Sequence, residues 1–108
     1  MPLLPTLKPK KRYIVFEILA EKEFSFPEVK AAVEEALLRF LGEWGTAKAS
    51  PLFVKERYKN NKFILKVSHL AVDEVKAAII LIKSIKNVPV IIRSITVSGT
   101  IKKASSTK

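Results

Sequence analysis

What most constrains this chain is the order in which its hydrophobic period changes: two residues, then three to four, then two in a pair of successive segments, then three to four, then two again. Side chains repeat every two residues along a strand and every 3.6 along a helix, so the spacing of Ile, Leu, Val and Phe writes the order β-α-β-β-α-β. Arg12–Leu19 is short, apolar and rich in β-branched and aromatic residues, which suits a strand. Alternation puts Ile14, Phe16 and Ile18 on one face and Tyr13, Val15 and Glu17 on the other, with Glu17 marking the wetter side. Ser25-Phe26-Pro27-Glu28 has the form of a capping box with proline in the first turn, and predicts a helix from about Phe26 to Leu41 that Gly42 ends. Val29, Val33, Ala36, Leu37 and Phe40 are its expected buried stripe.

From Gly45 the chain is expected to be extended, and Leu52–Tyr58 and Lys62–Val67 read as a hairpin around Asn60-Asn61, a pair tolerant of positive φ. Phe63, Leu65 and Val67 share one face of the returning strand; Lys62, Ile64 and Lys66 share the other. A second helix, capped by Ser68 or Asp73, is expected from about Leu70 to Ile85, with Val72, Val75, Ile79 and Ile82 facing the core. Pro89–Val97 forms the last strand before Ser98-Gly99 breaks it. This order is the split βαβ of ferredoxin-like and RRM-like α+β sandwiches, a four-stranded antiparallel sheet with two helices on one face and the other face free. RRMs stack bases on aromatics of the central strands. Here Tyr13 stands alone opposite Lys62, Ile64 and Lys66, so RNA bound by this chain is expected to meet lysines and arginines through backbone and shape contacts, a mode sensitive to salt.

The length of 108 residues fits one core. The expected organisation is an extended, proline-containing basic arm over 1–11, a folded domain over 12–101 and a basic tail over 102–108. Apolar residues at 48% are enough to build that core and exclude a disordered, highly charged chain. The net charge of +10 points to a polyanion partner, and its distribution sharpens the point. Residues 1–12 carry Lys8, Lys10, Lys11 and Arg12 and residues 99–108 carry Lys102, Lys103 and Lys108, in both cases without an acid. The middle holds thirteen bases against ten acids and is nearly balanced. If that polyanion is RNA, the expected footprint is Lys8, Lys10, Lys11, Arg12, Lys102 and Lys103, joined by Arg39, Lys48 and Arg93.

Catalytic constellations are missing from the sequence. There is no cysteine and His69 is the sole histidine, so no thiol nucleophile or zinc cluster can be assembled, and no cofactor is expected on this chain. Glu34-Glu35 and Asp73-Glu74 are adjacent on helices and point apart. No phosphate-binding glycine loop or nucleophile elbow occurs. No apolar run approaches the roughly 18 residues of a membrane span, and Met1–Pro5 lacks the uninterrupted stretch of a signal peptide, so a cytoplasmic protein away from membranes is expected. One apolar set is left over: Leu38, Ala77, Ile80 and Leu81 lie off the two core stripes and are the expected protein interface.

Two segments stand apart from packing: Leu41-Gly42-Glu43-Trp44-Gly45-Thr46-Ala47-Lys48-Ala49, and Val97-Ser98-Gly99-Thr100-Ile101-Lys102 at the end of the last strand. On a βαββαβ frame, with Lys11-Arg12-Tyr13-Ile14 at the start, they resemble the archaeal ribonuclease P protein component 2 family and its eukaryotic homologue, over residues 11–103. The resemblance implies a non-catalytic subunit of a ribonucleoprotein whose RNA, with Mg²⁺, removes the 5′ leader from precursor tRNA. It also implies a partner, ribonuclease P protein component 3, a TIM-barrel-like protein, and assembly with it as a heterodimer or a dimer of heterodimers on the catalytic domain of the RNA. The residues alone leave open an alternative, a ferredoxin-like assembly or regulatory module that binds a protein or small ligand and is basic for solubility or ribosome association.

Overall fold

A computed structural model describes residues 11–55 and 58–99. The elements run β1 (Lys11–Leu19), α1 (Phe26–Ala49), β2 (Leu52–Phe53), β3 (Lys62–Ser68), a 3₁₀ turn (His69–Ala71), α2 (Val72–Ile80), β4 (Ser84–Ile85), β5 (Val88–Pro89) and β6 (Ile91–Ser98). β2, β3, β1 and β6 make one antiparallel sheet in that spatial order, and β4 and β5 form a separate small hairpin. The expected α+β architecture is therefore present, with both helices on one side of a four-stranded antiparallel sheet.

The helix-facing side carries the alternation anticipated in β1 and β3. Ile14, Phe16 and Ile18 from β1 and Phe63, Leu65 and Val67 from β3 are buried against Val29, Val33, Ala36 and Leu37 of α1 and Val75, Ala78 and Ile79 of α2. The Phe16 and Phe63 rings stack at 5.1 Å across neighbouring strands. Register along β1–β3 is unbroken from Lys11↔Ser68 to Glu17↔Lys62, because a one-residue slip would turn this whole apolar set outward. On the β6 side the pairing shifts between Val15 and Phe16, leaving Ile95 as the extra residue of a bulge.

Four expectations are corrected. α1 does not give way to a loop at Gly42: Gly42 breaks the helix locally, with φ 74° and ψ 175°, and helical structure resumes to Ala49, where Ser50 in the left-handed region donates its N–H to the Thr46 carbonyl at 3.0 Å. β2 is only Leu52–Phe53, not Leu52–Tyr58. α2 ends at Ile80, not Ile85, because Lys86 and Asn87 both take positive φ and turn the chain into the β4–β5 hairpin, so β6 starts at Ile91. Phe40 is not core, at 47% exposure. It lies on the α1 stripe but lines a groove shared with the Leu81–Asn87 segment.

The connection into α1 is fixed by side chains. Asn61, buried and with φ 60°, accepts at Oδ1 from the Phe24 N–H at 2.9 Å and donates from Nδ2 to the Lys22 carbonyl at 2.8 Å. Tyr58 donates its hydroxyl proton to the Phe24 carbonyl. Burial, with smaller contributions from Glu23 and Glu28, pushes the Tyr58 phenol up and so keeps it a donor. One turn thus clamps the β1–α1 loop from across the sheet.

Candidate RNA and protein interfaces

The free sheet face is not an aromatic platform. Val15 and Ile64 are buried there with Tyr13, Val54 and Ile95 packed around them, a second small apolar cluster on the side away from the helices. The Lys66 ammonium lies 5.8 Å from the centre of the Tyr13 ring. Farther along the same face Arg93 Nη2 is 2.6 Å from Glu17 Oε1, and its Nε donates to the same oxygen at 2.8 Å. Arg93 is therefore engaged within the sheet and stands apart from the other basic residues anticipated to contact RNA.

Those at the start of β1 fall differently. Tyr13 pairs with Ser98, so the first residues of β1 and the last of β6 meet at one end of the sheet. Arg12 Nη1 donates to the Lys11 carbonyl at 3.0 Å, and a side chain at Gly99 would come within 3.8 Å of the same nitrogen. Both basic terminal segments are thus joined to the domain side by side, which the charge pattern alone could not reveal. Lys8, Lys10, Lys102 and Lys103 themselves lie outside the described residues.

The helical layer carries the other surface. A groove of about 560 Å³ runs between α1, from Glu28 to Phe40, and the Leu81–Asn87 segment. Ala31, Ala32, Ala36, Phe40 and Leu81 contribute apolar lining, and Arg39, Lys83 and Lys86 contribute positive charge beside the carboxylates of Glu28 and Glu35. The Glu28 carboxylate accepts from the Ser25 backbone N–H at 3.0 Å and from its hydroxyl at 3.1 Å. The first of these contacts leads in holding Glu28 below the ordinary carboxylate range, against desolvation, with the Ser25 hydroxyl, Lys22 and Lys86 acting in the same direction.

All four residues left over by the sequence pattern are exposed: Leu38 and Leu81 at about half, Ile80 likewise, and Ala77. Of these, Leu81 lines the groove. Phe40, Lys83 and Lys86 also line this surface, which the sequence pattern does not reveal because it carries the second helix through Ile85, beyond its end at Ile80. Arg39 is at the groove edge, with its guanidinium 6.0 Å from the Phe40 ring, and Lys48 is exposed beyond the Gly42 break.

Among the described residues no cluster of three metal-binding side chains occurs, and no helix is long and apolar enough to cross a membrane. The fold places the chain among ferredoxin-like α+β sandwiches, with a groove on its helical side. The particular kind follows from its relatives. The model of the Rpp14/Pop5 family matches residues 12–107, and the chain belongs to that family. It is 44% identical over 101 residues to ribonuclease P protein component 2 of Pyrococcus abyssi, covering 94% of this chain and 86% of that protein. The protein of the same name from Methanocaldococcus jannaschii is 45% identical over 102 residues, covering 94% and 75%. Among solved structures, a chain of yeast ribonuclease MRP has the same fold, with a TM-score of 0.61, 16% identity and coverage of 86% of this chain and 76% of that one.

Proposed function

We propose that this chain is a non-catalytic, RNA-binding protein subunit of ribonuclease P and supports the catalytic RNA in removing the 5′ leader from precursor tRNA. The observation that carries this reading is family membership across residues 12–107, with relatives named as ribonuclease P protein component 2 at over 40% identity. The physical features agree with it. A net charge of +10 with basic termini joined at one sheet end suits a phosphate backbone. Mg²⁺ is then held by the RNA, and this chain binds no cofactor. The groove between α1 and Leu81–Asn87 is the docking place for protein component 3, in a heterodimer or dimer of heterodimers, and the setting is the cytoplasm.

The test is reconstitution. Purified chain, component 3 and the cognate RNA are combined in Mg²⁺ and cleavage of precursor tRNA is followed, with omission of each part in turn. Loss of processing when this chain is left out, and no cleavage by the chain alone, is the expected result. Undiminished processing without it, or no affinity for the RNA at any salt, overturns the reading.

A further inference from the structure

Trp44 is 86% exposed, more than any other large apolar side chain among the described residues. Its surroundings are unlike those of a core residue displaced outward. The Gly42 break separates the helical turns of residues 43–49 from the rest of α1. Within them the positions that share a face with Trp44 are those three and four residues on, and these are Ala47 and Lys48, both exposed. Ala47 leaves the indole uncovered, and Lys48 puts a cation one turn away. Glu43, the acid next to it in sequence, points elsewhere around the helix.

An exposed flat ring with a lysine one helical turn on differs from the anchor of a protein interface. Such anchors sit within a ring of apolar contacts that exclude water, whereas Trp44 is flanked by Glu43, Gly45 and Thr46. The exposed apolar residues Phe40 and Leu81 instead both line the groove. A single aromatic plane with a neighbouring cation has the chemistry to take one unpaired nucleobase on its face while the cation meets the adjoining phosphate.

We infer that Trp44 is a stacking platform for an unpaired base of RNA, with Lys48 contacting the phosphate beside it. This inference rests on the RNA-binding reading above and adds to it a site on the last turns of α1. Its sequence signal is the lone tryptophan in a glycine-flanked, lysine-followed segment. Because the chain has one tryptophan, its emission reports this site alone.

The full-length chain is titrated with unstructured oligo(A) RNA and separately with the cognate ribonuclease P RNA. Tryptophan emission and the anisotropy of labelled RNA are read in the same samples. Emission quenched in step with binding is expected. Trp44→Ala should weaken oligo(A) binding by about tenfold, the loss of one base–aromatic stack, and Trp44→Phe, which keeps a ring, by less. Melting temperatures should match the parent, since the side chain is almost wholly exposed. RNA bound with unchanged emission and no effect of Trp44→Ala overturns the site while leaving the RNA-binding role intact. Failure of both RNAs to bind overturns that role and the site with it. An emission shift caused by component 3 and not by RNA assigns Trp44 to a protein contact and overturns the inference.

Discussion

Gly42 holds φ 74° and ψ 175°, a region that glycine enters freely and residues with a Cβ enter under strain. A Cβ there would meet no atom within 4 Å, so the constraint is the backbone and not space. The break leaves a trace one turn later: the buried Thr46 hydroxyl has no hydrogen-bond partner, since the Gly42 carbonyl that a continuous helix would aim at it is turned away. Gly42→Ala should therefore cost roughly 1–3 kcal/mol, read as a shift of the denaturant midpoint at constant slope; a change below a few tenths would mean that the helix can straighten without penalty. Glu28 makes a different kind of prediction. Its carboxyl titrates below the ordinary value of 4.5, chiefly because the charged form accepts from the Ser25 N–H. A depressed acid stabilises the fold above its unfolded value, and that contribution disappears as pH falls through the folded value. Glu28→Gln should melt lower than the parent at neutral pH, modestly because the group is solvent-screened, with the two curves converging below pH 4.5. A gap that persists unchanged in acid would show that the carboxylate charge contributes nothing to the cap.

At the scale of elements, β1, β3 and α1 as far as Leu41 were legible because each has a single unambiguous period. Ile14, Phe16 and Ile18, and Phe63, Leu65 and Val67, are buried as alternation requires. The end of α2 was not legible. Ala77–Ile82 is apolar nearly all round, a pattern that gives no sign of where the helix stops, and the hairpin turn at Lys86-Asn87, where asparagine tolerates the left-handed region, lies just past the expected end. β2 was overread for a related reason, since alternation in Leu52–Tyr58 continues past the two residues that pair with β3. Phe40 was read as core from its helical spacing, which does not show that the position lines a groove. The basic termini carry the element-scale prediction. Replacing Lys10, Lys11, Lys102 and Lys103 with alanine removes up to four phosphate contacts, which should lower the slope of log affinity against log salt by about three to four. An unchanged slope would place the RNA footprint on other residues.

For the whole molecule, the start of β1 and the end of β6 lie side by side in the sheet, and the groove lies on the helical layer. Leu81 is half exposed at the C-terminal cap of α2 and lines the groove together with Phe40. Burying a leucine at an interface is worth roughly 1.5–3 kcal/mol, so Leu81→Asp should weaken calorimetric binding to component 3 by more than tenfold, because an unpaired carboxylate would also be desolvated there. RNA binding should change little, since the basic termini are joined to the sheet and not to this groove. The melting temperature should hardly move, because half of the side chain is already in water. Sedimentation of the chain alone gives a further check on whether the same surface pairs two copies. Should Leu81→Asp leave binding to component 3 and self-association intact but lower the melting temperature sharply, Leu81 supports the end of α2 against the core and the protein-docking surface lies elsewhere on the helical layer.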